Sequence, residues 1–165
     1  MVIFKKLCAE HAEIYRTLRL EALRTNPEAY ASDYATEKNR SMDQIRTHLS
    51  NPYVMTVGGF DGDQLIAIAS LHLESLPKMA HRSTLTSVYV SPEFRGQRIA
   101  RKIMEYMIDT VKKDGVTKMY LYVVTQNESA IRAYKKFGFN IYGEDQNAMK
   151  EEDGFVGEYL MVKYI

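Results

Sequence analysis

Apolar positions recur along the chain with two periods, and the switches between them mark out its elements. "VIFKKL" reads as a short first strand. From Glu10 to Leu23, Ile14, Leu18 and Ala22, with Tyr15 beside them, recur at helical spacing, and Pro27 stops the continuation. "SMDQIRTHLS" predicts a second short helix with Ser41 as its N-cap. "YVMTVGGF" and "QLIAIASLHLE" flank Asp61-Gly62-Asp63, the composition of a hairpin turn. "RSTLTSVYV" adds a third antiparallel strand, ended by Pro92, which cannot donate to a ladder.

In the second half, Ile99, Ala100, Ile103, Met104, Met107, Ile108 and Val111 form one helical stripe with charges opposite, closed by Gly115. "TKMYLYVV" is apolar on both faces, which predicts a central strand covered on both sides. "NESAIRAYKKFG" predicts a helix capped by Asn127, burying Ala130, Ile131, Tyr134 and Phe137 and ending at Gly138. "FNIYGED" and "FVGEYLMVKYI" then pair around an acidic loop containing Asp153-Gly154. The order predicts a mixed α/β (α+β) fold, with a mainly antiparallel sheet of about six or seven strands flanked by about four helices. With no repeat and no linker-like stretch, residues 1–165 are expected to form one domain.

Composition narrows the function classes. Charges nearly cancel, at 22 Lys+Arg against 21 Asp+Glu, so no global field attracts nucleic acid or an anionic membrane, and neither partner is expected. The single Cys8 excludes an intrachain disulfide framework, and the start "MVIFKKLCAE" lacks the apolar core of a signal peptide. No apolar run approaches the ~20 residues of a membrane span, so a cytoplasmic protein is expected. His11, His48, His72 and His81 show no metal-ligand spacing, and no metal is expected.

The chemistry concentrates in "SVYVSPEFRGQRIARKIMEYM", where a strand runs through a basic, Gly-containing turn into a helix. A helix N-terminus leaves about four N–H groups unpaired and attracts phosphate, and Gly96 permits close approach. The competing reading is a strand-to-helix connection that merely happens to be basic. A nucleoside triphosphatase would need Gly-Lys-Ser/Thr, and a Rossmann site would need its fingerprint after the first strand of a parallel unit; neither is present. What survives is a pyrophosphate that is held and not cleaved.

Val90, Pro92, Phe94, Arg95, Gly96, Ile99 and Ala100 match the acetyl-coenzyme A signature of the GNAT N-acetyltransferase superfamily. Asn127, Tyr134, Gly138 and Phe139 match its second signature, so the chain resembles that family over most of its length. The resemblance implies acetyl-CoA bound by the main chain of Val88, Tyr89 and Val90, by the turn Arg95, Gly96, Gln97, Arg98, Ile99, Ala100 and Arg101, and by Asn127, Ser129 and Tyr134. It also implies that the strand ending at Val90 splays from the strand after it, that a backbone N–H near Val90 stabilises the oxyanion, and that Tyr134 is the general acid. Arg98 stands where the family usually has glycine; it is read as part of the first helical turn, where Arg fits.

The implied reaction is direct transfer of acetyl to a primary amine of a small molecule in a ternary complex. Protein or peptide amino groups, and a non-catalytic acyl-CoA sensor, are the alternatives. An alkylamine must lose a proton before it attacks. Family members often carry Glu on the strand before the coenzyme turn, whereas "RSTLTSVYV" offers only Ser83, Thr84, Thr86 and Ser87. Glu74 is the nominated base, with Glu28, His72 and His81 as other candidates. Glu144, Asp145, Glu151, Glu152 and Asp153 hint at a cationic acceptor, against the plainer reading of a solvated loop. A homodimer is the default assembly.

Overall fold

A computed structural model describes residues Met1–Ile165. The chain runs β1 (Val2–Lys6), α1 (Ala12–Thr25), α2 (Tyr34–Lys38), α3 (Met42–Ser50), β2 (Val54–Asp61), β3 (Gln64–Leu73), β4 (Arg82–Val90), α4 (Ile99–Val111), β5 (Lys118–Val124), α5 (Glu128–Phe137), β6 (Asn140–Glu151) and β7 (Gly154–Tyr164). All strands join one sheet in the order β1-β2-β3-β4-β5-β7-β6, and only the β4/β5 pair is parallel. The predicted mixed, mainly antiparallel fold is what forms.

Two apolar clusters lie on the sheet. In the larger, Ile103, Met104 and Met107 of α4 and Ile131 of α5 pack with Leu71, Leu85, Met119, Leu121 and Met161 from the strands. In the second, Tyr15, Leu18 and Ala22 of α1 and Ile45 and Leu49 of α3 pack with Phe60, Ile68 and Tyr89. Ser41 caps α3 as expected, accepting from Gln44 N–H at 3.1 Å while Gln44 Oε1 accepts from Ser41 N–H at 2.9 Å.

Four details depart from the sequence reading. The buried face of α1 is Ala12, Tyr15, Leu18, Arg19, Ala22 and Leu23, and Ile14 is 40% exposed. The five-residue α2 arises in a stretch that carries no periodicity, started by Asp33, whose Oδ1 accepts from Thr36 N–H at 2.8 Å. β5 is covered unevenly: Met119, Leu121 and Val123 are buried on one face, while on the other Val124 is buried, Tyr120 is half-buried and Tyr122 is 53% exposed. The helices α1 and α3 pack over β2 to β4 on that side, which leaves Tyr122 uncovered. The expected acidic loop is largely strand, because β6 continues to Glu151 through two irregularities and turns at Glu152-Asp153.

Candidate functional site

β4 and β5 pair only at Arg82–Lys118, Ser83–Met119 and Thr84–Tyr120, and then separate. Beyond Thr84 one edge of β4 therefore has no neighbouring strand. A bulge between the Thr86–Ser70 and Tyr89–Ile68 pairs holds Ser87 at φ 59°, a local twist that redirects the strand. Ser91 N–H donates to Ile66 O across β3, so strand alternation turns the main chain of Val88 and Val90 to the open side. Their carbonyls are held by side chains: Tyr30 donates its hydroxyl to Val88 O at 2.9 Å, and Arg95 Nε donates to Val90 O at 3.0 Å. Tyr89 differs from its two neighbours, since it pairs with Ile68 and buries its ring against α1.

The turn that follows is pinned at two points to α1 and the residue after it. Ser91 Oγ donates to Glu21 at 2.9 Å, and Arg95 Nη2 donates to Asn26 Oδ1 at 2.9 Å. Gly96 takes φ +81°, and a Cβ there would meet nothing within 4 Å, so the glycine opens onto free space. Arg98 is not in the helix. It is the N-cap, at φ 60° and ψ 26°, which corrects the expectation that it belongs to the first turn. A left-handed arginine costs about 1–2 kcal/mol, which the pinned turn imposes.

The helix start is left open. The bond closing its first turn runs from Lys102 N–H to Arg98 O at 3.0 Å, no side chain caps the end, and no acidic residue occupies the first turn. Ile99 is buried in the small cluster with Ile66 and Ala67, which fixes the helix against the sheet. Of the turn's arginines, Arg95 is held as described, and Arg101 bonds Glu105 at 2.9 Å and lies over Phe137. The exposed Arg98 side chain has no protein partner. Together with the N–H groups around Gly96, Gln97, Ile99, Ala100 and Arg101, it makes a positively polarised turn, of the kind that attracts anions, following the open β4 edge.

Across the splay, Asn127 caps α5 by accepting from Ala130 N–H at 3.3 Å, and Ser129 Oγ donates to the same oxygen. Tyr134 is half-buried, its ring edge-on to Phe139 with centroids 5.8 Å apart, and its hydroxyl has no hydrogen-bond partner. Burial pushes that hydroxyl up to about 12. Burial also raises the Tyr30 hydroxyl, and a neighbouring Tyr134 phenolate would add to that effect.

The third wall is made by the first helices. A cleft of about 400 Å³ lies between the α1–α2 connection and the β6/β7 hairpin, lined by Leu23, Pro27, Tyr30, Tyr34, Met149 and Glu151 among others. Sequence reasoning missed Tyr30 and the buried Arg19 beneath it, whose guanidinium lies 5.0 Å from the Tyr30 ring centre. Neither sits in a local motif, and only their distance-spanning contacts reveal them.

The candidate bases are dispersed. Glu74 is exposed beyond the end of β3, past the Leu73–Ser83 pair. That pair lies five residues from Val88, or about 16 Å along the strand. His81 is exposed at the same far end, and Glu28 is exposed on the Pro27–Ala29 turn. His72 is different: its Nε2 lies 3.0 Å from Thr86 Oγ1, in the part of β4 that has left β5, and burial lowers its pKa. No group of three or more His, Cys, Asp or Glu side chains converges in a way that could hold a metal ion, and no helix is long and apolar enough to cross a membrane.

Comparison with known proteins agrees with this geometry. The chain is 33% identical over 72 residues to the [ribosomal protein bS18]-alanine N-acetyltransferase of Escherichia coli, covering 44% of this chain and 49% of that one. It is 26% identical over 121 residues to the spermidine N(1)-acetyltransferase of Thermoplasma acidophilum, covering 72% of each. The chain thus spans about half the length of the first of these relatives and nearly three quarters of the second. Its fold superposes on a putative acetyltransferase from Salmonella typhimurium, solved with its cofactor acetyl-CoA, with TM-score 0.83 at 15% identity, covering 99% of this chain and 94% of that one. The model of the acetyltransferase (GNAT) family matches residues 12–139. The chain belongs to the acetyltransferase (GNAT) family.

Proposed function

We propose that the protein is an acetyl-CoA-dependent N-acetyltransferase that acts on a primary amine of a small molecule, in a cytoplasmic setting. One observation carries the reading: the uncapped start of α4 adjoins the unpaired edge of β4. The first suits a diphosphate and the second suits an extended amide-containing arm, which would bond the main chain of Val88 and Val90 as an added strand does. The relatives' names and the acetyl-CoA in the Salmonella typhimurium structure point the same way.

Acetyl-CoA supplies an acetyl group activated as a thioester. The chain's own residues supply the rest. His72, neutral near pH 7 because burial lowers its pKa, takes the ammonium proton through Thr86 before the amine attacks. His72 is preferred to Glu74 for this role because its ring reaches Thr86, while Glu74 follows the end of β3. Tyr134, without a partner, offers its O–H to the departing thiolate. With a phenol near 12 against a thiol of about 8.5, full transfer is uphill, so Tyr134 acts mainly by hydrogen bonding as charge develops. The 400 Å³ cleft suits a small acceptor.

Amino groups of proteins form the second reading, favoured by the bS18-alanine relative. Calorimetry with acetyl-CoA, followed by thiol release across amines, amino acids, polyamines and peptides, tests both readings. Absence of acetyl-CoA binding sinks the proposal; turnover confined to peptides moves it to the second reading. Binding without turnover leaves a sensor.

A further inference from the structure

Arg19 is the only arginine, lysine or carboxylate residue the fold fully buries, at 7% exposure, and it makes no hydrogen bond. Its closest carboxylate oxygen, Glu37 Oε1, is 3.9 Å from Nε, outside hydrogen-bond range. Glu37 is instead engaged by Arg40, at 3.2 and 3.5 Å. Nη1 of Arg19 is shut off from solvent with no partner at all. A second arginine nearby adds to the imbalance: Arg16 gives Nη2 to Lys38 O at 2.7 Å and leaves Nε unpartnered. Buried guanidinium groups are ordinarily matched, because their five donors lose water and gain nothing without acceptors.

The position of this charge gives it meaning. Arg19 precedes Leu23 by one turn of α1, so the two project from the same helix face, and Leu23 lines the cleft. The Tyr30 ring separates Arg19 from that cleft, and the Tyr30 hydroxyl reaches Val88 O at the splay. A cation with an unpartnered Nη1 and only a long contact to a carboxylate it shares with Arg40 therefore lies behind the wall of the acceptor cleft, one side chain away from the strand edge where the acetyl group is delivered.

We propose that the acceptor carries a carboxylate that docks on Arg19, so that the substrates are amino acids or other amines with a nearby carboxylate; this deepens the acetyltransfer reading and rests on it. A planar guanidinium fork matches a carboxylate in two parallel bonds. Arg16, Arg19 and Arg40 set against Glu37 leave a surplus of positive charge, which an anionic acceptor reduces. Docking requires the Tyr30 ring to turn aside or the Arg19 stem to swing toward the cleft.

The test needs no turnover. N-acetylmethionine and N-acetylmethioninamide, product analogues that differ only at the carboxyl, are titrated into the intact protein by calorimetry, with the matching alanine and phenylalanine pairs. The acid should bind at least tenfold more tightly than its amide, Arg19→Met should bring the two within twofold, and Arg19→Lys should keep part of the preference. Equal binding of acid and amide across the pairs in the wild-type protein overturns the proposal, whatever the variants do, and so does a preference that survives Arg19→Met. Acetyl-CoA is titrated into the same samples: if it binds while acid and amide remain equal, only the carboxylate proposal falls, and if it does not bind, the acetyltransfer reading falls with it.

Discussion

The two sides of the proposed site are made of different materials. The cradle from Ser91 to Arg101 is continuous in sequence and offers main-chain donors around one glycine and one helix start. The proposed acceptor side is assembled from side chains of separate segments: Arg19 on α1, Tyr30 after it, and His72 on β3. In the proposed reading, main-chain donors suit what every coenzyme molecule shares, while side chains can change without disturbing the fold and so would set which acceptor enters. The walls are nevertheless tied together, by Ser91 to Glu21 across 70 residues and by Arg95 to Asn26 across 69.

The sharpest way to break this contrast is to alter the main-chain wall with a single charge. Gly96→Asp should weaken acetyl-CoA binding by about 100-fold or more in calorimetry, through the carboxylate it adds beside the helix start. Because a Cβ at Gly96 meets nothing, Gly96→Asn should stay within about fivefold, Asn being tolerant of positive φ. An Asp variant that binds normally would show that the cradle is not an anion site. On the other wall, His72→Gln should lower kcat by about 10²- to 10⁴-fold with acetyl-CoA affinity little changed. The wild-type rate should fall as His72 gains its proton, on an acidic limb below the ordinary histidine value of 6.5, since burial lowers this one; the limb should vanish in the variant.

Tyr134→Phe should reduce kcat by roughly 10- to 50-fold, less than a true proton donor would, because it removes a hydrogen bond to a developing charge. With its hydroxyl near 12, Tyr134 should produce no alkaline limb below about pH 11. Unchanged turnover would remove it from the site. The smallest effect belongs to Arg98→Gly, which relieves a left-handed arginine and should raise stability by about 1 kcal/mol, read as a higher Tm. The same change removes one free cation from the cradle, so acetyl-CoA affinity should fall modestly, by about threefold.

The contrast also explains what could be read in advance. The cradle is local, and glycine, proline and a helical stripe announce it in consecutive residues. Arg98 was misplaced because sequence shows that a residue is not glycine, but not that the turn is pinned from α1 firmly enough to hold arginine at φ 60°. The acceptor wall has no such signature. Arg19 occupies a polar-looking position in α1, and only the packing shows that the helix is rotated to bury it while exposing Ile14. Tyr30 and Val88 meet over 58 residues, and His72 meets Thr86 only because β3 and β4 pair in one register. Glu74 and His72 stand two residues apart at the end of β3, and it is the reach of the His72 ring to Thr86 that distinguishes them.

The caps on Val88 and Val90 have a consequence for the molecule between catalytic events. A strand edge with free donors and acceptors is a template on which any extended chain can pair, including the same edge of another copy. Here Tyr30 and Arg95 occupy the two exposed acceptors, and the opening is only a few residues long. The groove is thus guarded against aggregation by two side chains, each holding its carbonyl through one exchangeable hydrogen bond, so the protection can yield to a fitting ligand without any strand having to move.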